Sequence, residues 1–381
     1  MPFALEALKA KHGDALLLHY GRESSPKLVV IDGGPAGVLS SSLKPRLDEI
    51  KRERSPDDPL PIRMVMVSHI DDDHISGVLQ LVKSLADLKE LNKPLPYEIA
   101  SLWCNSFDDL LNNEAEEMVA SLKKAVNAAS SPAFSASLPV QRETALVLAS
   151  VSQGRKLRVA ANRLGVGVND GFRNLVMVPA GAKSRVFDAG DGLKLTVIGP
   201  DEERVRALQV EWDKQIKKAG VAKIAEFADD SVFNLSSISV LAKFRKKTML
   251  LTGDARGDFI LAGLKRAGLL KKGKCHVDLL KIPHHGSDNN VDTDFFRALT
   301  ADHYVVSGDG EHGNPEVSTF QMISEARGQD EFTIHLTHGR LPNDPKPDKL
   351  LDFFRKDKKA GKKYSTVVRD EDALGIKVPL L

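Results

Sequence analysis

The densest group of reactive side chains is His69-Ile70-Asp71-Asp72-Asp73-His74, with two imidazoles and three carboxylates in six residues. Neighbouring carboxylates repel one another, and burial penalises their charge further unless a positive charge balances it. A divalent cation supplies that balance, and imidazole with carboxylate suits zinc, manganese or iron. An acidic solvated turn with incidental histidines would account for this run by itself. It would not account for the run's company. Leu251-Thr252-Gly253-Asp254 puts an Asp after one apolar stretch, and Lys281-Ile282-Pro283-His284-His285-Gly286-Ser287 puts a His pair after another. Asp32-Gly33-Gly34 closes a third, Lys27–Ile31.

The elements that must carry these residues follow from hydrophobic pattern. Asp14–Tyr20, Lys27–Ile31 and Ile62–Val67 read as strands, the last buried on both faces and interrupted only by Arg63. Leu43–Arg54 and Val78–Leu91 have helical periodicity. Further strands are expected at Leu175–Val178, Lys194–Ile198, Ser237–Phe244, Thr248–Leu251, Val277–Ile282, Tyr304–Ser307 and Thr333–Leu336, and helices at Glu202–Phe227 and Phe259–Ala267. Strands and helices alternate, so the fold class is α/β. The polar clusters sit just past strand ends, where such folds place their chemistry. Asn105–Leu164 is Ala/Ser-rich and helical, and reads as an insertion. The domain is expected to span 1–343, followed by a basic C-terminal extension at 344–381.

The chain has 381 residues, with 54 basic and 52 acidic side chains and a formal charge of +2. That balance excludes a surface that is basic throughout. Three local runs, Lys243–Lys247, Lys265–Lys274 and Arg355–Lys363, are candidates for tracking a phosphate backbone. No apolar run approaches the ~20 residues of a membrane span. Glu6, Lys9 and Lys11 make the N-terminus a poor signal peptide, and the two cysteines, Cys104 and Cys275, offer no disulfide framework. The expected compartment is the cytoplasm. Gly268–Cys275 nearly spells a phosphate-binding loop, but it ends in Cys and lies between a helix and a strand, the reverse of the required order.

The order of these motifs, Asp-Gly-Gly, His-x-Asp-x-Asp-His, Thr-Gly-Asp and Pro-His-His-Gly-Ser, each after a strand, resembles the metallo-β-lactamase superfamily. More narrowly it resembles the hydrolase domain of competence DNA-uptake channel proteins and its free-standing relatives. Asn234-Leu235-Ser236-Ser237-Ile238-Ser239 resembles that branch's Asn/Ser-rich strand, and Ser307-Gly308 with His312-Gly313-Asn314-Pro315 its late Gly-His-Pro loop. The resemblance implies a four-layer αβ/βα sandwich with metals at one sheet edge, here with a helical insertion at about 105–164. It implies one or two divalent ions, zinc or manganese. His69 and Asp71 would serve the first ion, Asp73 and His74 the second, Asp254 would bridge, and His285 or its neighbour His284 would complete the set. Asp71 stands where most members carry His, which makes the donor set harder. The separate mid-chain ligand histidine of lactamases has no counterpart. Asp32 would buttress the metal loop, and Asn234, His312 or the remaining histidine of the pair would contact substrate.

Two cations about 3.5–4 Å apart would lower the pKa of a shared water and neutralise substrate charge, with Asp73 orienting that water. The expected function is therefore a metal-dependent hydrolase of phosphodiesters, a phosphodiesterase or nuclease. The rivals are a hydrolase of another ester class (lactone, thioester, phosphocholine or sulfate ester) and a non-enzymatic interaction module with a vestigial site. Expected partners are the ester substrate, nucleic acid through the basic runs, and a protein or second copy through the helical insertion.

Overall fold

The computed structural model describes residues 1–106, 152–172, 174–207, 210 and 236–381. Its six-stranded sheet contains β1 (Ala4–Leu8), β2 (Leu16–Arg22), β3 (Ser25–Ile31), β5 (Met64–Val67), β7 (Leu102–Cys104) and β16 (Gly375–Pro379). The order is β16-β1-β2-β3-β5-β7, antiparallel as far as β3 and parallel from β3 through β7. An eight-stranded sheet contains β8 (Val186–Gly190), β9 (Leu193–Gly199), β10 (Ser239–Phe244), β11 (Lys247–Leu251), β12 (Cys275–Lys281), β13 (Leu299–Val306), β14 (Thr333–Leu336) and β15 (Ser365–Val368). These run in sequence order, antiparallel from β8 to β11 and parallel from β11 to β15. A two-stranded sheet pairs β4 (Leu60–Ile62) with β6 (Tyr97–Ile99).

Period-two alternation of side chains explains the layering. Val29 and Ile31 of β3, with Met64 and Met66 of β5, face Val240, Met249, Leu279 and Val305 of the other sheet. Their neighbours Leu28, Val30, Val65 and Val67 face outward onto α1 (Lys44–Arg54) and α2 (Asp72–Glu90). On the far side, Leu250, Leu280, Tyr304 and Val306 pack against α4 (Gly257–Arg266), α5 (Thr293–Ala298), α6 (Val317–Arg327) and α7 (Lys349–Lys359). Three apolar cores between four layers make an αβ/βα sandwich, the architecture the motif order implies. Among the described residues no helix is long and apolar enough to cross a membrane.

Several elements differ from the sequence reading. Ile62–Val67 is divided at Arg63, whose guanidinium Nε donates to the Ala189 carbonyl at 2.6 Å. Leu175–Val178 forms no strand; Val178 makes only an isolated bridge to Asp201. Of the expected insertion, 107–151 lie outside the described residues. Residues 152–164 form a helix, α3, whose Leu157, Ala160 and Ala161 join the outer core beside α2. Arg163 on α3 pairs with Asp87 and Glu90 of α2 at 2.7 and 2.6 Å. Residues 344–381, expected as an extension, supply α7 and an edge strand to each sheet, so the tail closes the sandwich.

The largest correction concerns the metal loop. Helix α2 starts at Asp72, well before the Val78 that periodicity suggested, so Asp72, Asp73 and His74 occupy its first turn. Acidic residues are favoured there because the exposed N–H groups carry partial positive charge. Asp71, in extended backbone, is the N-cap. Backbone hydrogen bonds bind this turn to the Asp-Gly-Gly segment: Gly33 N donates to His74 O at 2.7 Å and Gly77 N to Gly34 O at 3.0 Å. A Cβ at position 77 would lie 2.0 Å from the Gly33 carbonyl oxygen. Gly77→Ala must therefore push α2 away from the sheet and should cost about 3 kcal/mol or more, the upper range of overpacking. Urea unfolding checks this, and an unchanged midpoint would contradict the packing.

Candidate metal centre

Residues from both sheets meet at one edge of the sandwich. His69 follows β5, Asp73 and His74 open α2, Asp254 follows β11, and the His284-His285 turn follows β12. His74 Nε2 lies 3.4 Å from Asp254 Oδ1 and 3.1 Å from His285 Nε2. Asp254 Oδ2 is 3.7 Å from His69 Nε2, 3.5 Å from His285 Nε2 and 3.7 Å from His284 Nε2. Asp73 Oδ2 is 3.2 Å from His285 Nε2 and 3.6 Å from His74 Nε2, and Asp71 Oδ2 is 3.4 Å from His69 Nε2. His69 and His74 are wholly buried, and Asp254 and His285 nearly so. Asp71, Asp73 and His284 keep 18%, 24% and 30% of their side-chain surface and form the open face.

A supporting shell fixes the rings. Asp32 accepts from Ser68 N and Ser68 Oγ, both at 2.7 Å, and from His74 Nδ1 at 2.9 Å. This pattern assigns the His74 proton to Nδ1 and turns its Nε2 lone pair inward. His285 Nδ1 faces Asp14 Oδ1 and Ser307 Oγ, each at 3.5 Å, so its Nε2 also points inward. Ser307 Oγ donates to Asp14. Two inward lone pairs 3.1 Å apart repel unless a proton or a cation lies between them. The His284 backbone N–H donates to Gly253 O at 3.2 Å, and Asn290 joins His284 Nδ1 at 2.7 Å to the Asp254 carbonyl at 3.0 Å. His284 and His285 both adopt left-handed backbone, φ 47° and 53°, strain of the kind stored at functional sites.

The electrostatics agree. Burial opposes protonation of His74 and His285, but Asp254 and its carboxylate neighbours outweigh it and hold both imidazoles well above their usual pKa. Burial would raise Asp73 and Asp254, yet the surrounding imidazoles hold both below the usual carboxylate range. Asp71 is raised, mainly by burial. His69 Nε2 and Asp254 Oδ1 are buried without a hydrogen-bond partner. Unpartnered buried donors and acceptors are rare and costly. Orphaned atoms, inward lone pairs and a balanced Asp/His donor set together fit a divalent cation. Asp14, His74, Asp254 and His285 present ligand atoms all within 4.8 Å of one another, as do His69, Asp73 and His74.

The structure thus brings His69, Asp71, Asp73, His74, Asp254, His284 and His285 together, with Asp32 behind them. His312 groups instead with His12 and Glu311. Asn234 lies outside the described residues. Asp72 turns away and accepts from Ser76 Oγ at 2.6 Å and from Gln153 of α3 at 2.7 Å. Sequence reasoning missed Asp14 and Lys281. They form a fully buried ion pair, Nζ to Oδ2 2.7 Å, directly behind His285. The available signal was a lone lysine between Leu280 and Ile282 in the run Val277–Ile282, since a buried lysine requires a carboxylate. Burial would raise Asp14, but the Lys281 ammonium and then His285 outweigh it and keep the carboxyl ionised. Among the basic runs, Lys247 is paired with Asp278 at 2.6 Å, and Lys362 donates to the Ser324 and Gly328 carbonyls.

Two outcomes are expected. Lys281→Met strands a buried carboxylate and should cost about 3–5 kcal/mol in the metal-free protein, much of it restored by adding Asp14→Asn. Chemical denaturation of the single and double variants checks this, and an unaffected single variant would contradict it. Asp73→Asn with His74→Ala should remove the metal held at this centre, lowering the metal content measured by plasma emission while the circular dichroism stays native. Full metal content in that variant would refute the ligand assignment.

No family model matches the chain. A stretch of 55 residues, 14% of the chain, is 42% identical to microtubule-associated protein 1A of Rattus norvegicus, Mus musculus and Homo sapiens. The match covers 2% of the length of those relatives. Among solved structures, a mutant CmlA beta-hydroxylase aligns over 98% of this chain and 54% of its own, at 12% identity and a TM-score of 0.36. A protein described as a metal-dependent hydrolase, from Parabacteroides distasonis, aligns over 88% of this chain and 98% of its own, at 7% identity and a TM-score of 0.33. At these values neither structural likeness bears on activity.

Proposed function

We propose that the protein is a metal-dependent hydrolase of phosphodiester bonds. The observation that carries this is the meeting of His74, Asp254 and His285 at one point, with His69 and Asp73 grouped beside them around the shared His74, and with orphaned atoms on His69 and Asp254. His69, His74, Asp254 and His285 would hold the one or two cations, with Asp71 and Asp73 on the open side. A cation bound there supplies a Lewis acid that lowers the pKa of water and neutralises charge on the scissile group.

The chain's own side chains do the remaining work. Asp73 is part-exposed and kept ionised by His74 and His285, so it can accept a hydrogen bond from an attacking water and orient it. His284 is held through Nδ1 by Asn290 and offers Nε2 at the open face, in position to contact a substrate oxygen. Asp32 fixes the tautomer of His74, and Asp14 with Lys281 and Ser307 fixes the ring of His285. Asp71 and Asp73 add carboxylates to the imidazoles of the donor set, which suits harder cations such as Mn²⁺. The nuclease form rests on the motif resemblance together with the basic runs.

A substrate panel tests this. Protein supplied with Mn²⁺ or Zn²⁺ is offered bis-p-nitrophenyl phosphate, DNA, RNA, a lactone and a thioester. The expected result is phosphodiester cleavage with Mn²⁺ at least matching Zn²⁺, and a shift toward Zn²⁺ in Asp71→His. Asp73→Asn should lower kcat by about 10²-fold, the cost of a misplaced attacking water. A nuclease would also show binding that weakens steeply with salt. Cleavage of lactone or thioester alone would overturn the proposal.

A further inference from the structure

A second group of metal-ligating side chains lies outside the centre. His12 sits in the turn between β1 and β2, and Glu311 and His312 sit in the loop after β13. The two loops therefore come from different sheets. One ligand atom from each of the three residues lies within 4.8 Å of the others. His12 Nδ1 is 2.8 Å from Glu311 Oε2, and the His12 and His312 rings meet edge to face with centroids 5.2 Å apart.

An ordinary ion pair would need only His12 and Glu311. The third member makes the difference: His312 brings its ring against His12, and among the described residues it has no hydrogen-bond partner. The scaffold is fixed independently of the three side chains. Glu311 N donates to Asp309 Oδ1 at 3.1 Å, Gly310 N to Asn314 O at 3.0 Å, and Lys349 Nζ to Gly313 O at 2.9 Å. Two nearby ammonium groups are turned elsewhere. Lys349 pairs with Asp344 at 2.5 Å, and Lys11 donates to Ala36 O at 2.8 Å. The cluster thus keeps a carboxylate and two imidazoles with no lysine charge spent on them.

We propose that His12, Glu311 and His312 form a separate metal site at the rim of the sandwich edge, taking a borderline divalent ion such as Zn²⁺. Two imidazoles and one carboxylate are a recognised zinc donor set that leaves a coordination position open. Imidazole favours the later first-row metals. The rim lies against the centre. A Cβ on Gly13, the residue after His12, would sit 1.9 Å from the Asp73 carbonyl oxygen, and Asp14 N donates to that same oxygen at 3.2 Å.

Metal stoichiometry tests the site. Metal-free full-length protein is titrated with Zn²⁺ in competition with a chromogenic chelator. The samples are wild type, His12→Ala, His312→Gly and the centre variant His74→Ala with Asp254→Asn. His312 has φ 61°, so glycine removes the ligand without backbone strain. The expected result is that each rim variant loses one equivalent of Zn²⁺ relative to wild type while the centre variant retains one. Rim variants that bind as many ions as wild type, with the same affinities, would overturn the proposal. So would a folded centre variant that binds none. If the centre variant fails to fold, the loss of one equivalent in His12→Ala and His312→Gly decides alone.

Discussion

Two buried imidazoles, His74 and His285, with ring nitrogens 3.1 Å apart beside the buried Asp254 carboxylate, cannot share a protein interior without a positive charge among them. This constraint explains more of the structure than any single contact. In the metal-free chain, protons on His74 and His285 answer it, and their pKa values rise despite burial. A divalent cation answers it more completely, because it also satisfies His69 Nε2 and Asp254 Oδ1, which protons leave orphaned. Metal binding must then displace those protons, so occupancy and proton release are coupled.

The sandwich exists, from the standpoint of this centre, to deliver the groups from opposite sides. The first sheet brings Asp14, Asp32, His69 and the first turn of α2; the second brings Asp254, Lys281, His285 and Ser307. The Asp14–Lys281 pair spans that junction. It contributes little net stability by itself, since desolvation offsets attraction, but breaking one side leaves a buried charge. The pair ties the turn before β2 to β12 across the two sheets, and His285 Nδ1 faces the same Asp14 carboxylate at 3.5 Å. The C-terminal segment completes the same arrangement by adding β15 to one sheet and β16 to the other.

Much of the centre was legible in sequence because its chemistry is carried by residue types that are conspicuous after apolar strands. His69, Asp71, Asp73, His74, Asp254 and the His284-His285 pair stand out for that reason. Asp14 and Lys281 did not, because each is unremarkable until tertiary structure places them 2.7 Å apart. The start of α2 was misplaced because apolar periodicity begins only at Val78, whereas the helix is set by its acidic first turn and by the Gly33–Gly77 contact. His312 was read toward substrate, but its neighbours His12 and Glu311 come from loops whose meeting no local pattern encodes. The tail looked like an extension because Ser365–Val368 and Gly375–Pro379 are short, and become strands only by pairing with β14 and β1.

The central claim is that a cation occupies the point where His74, Asp254 and His285 meet, with His69 beside it. Crystals grown with Mn²⁺ and measured at its absorption edge test this most directly. The account predicts an anomalous peak within coordinating distance of His74 Nε2, His285 Nε2 and Asp254, with the two imidazoles moved apart from their 3.1 Å approach. Density without such a peak, and with the two nitrogens still joined through a proton, would contradict it.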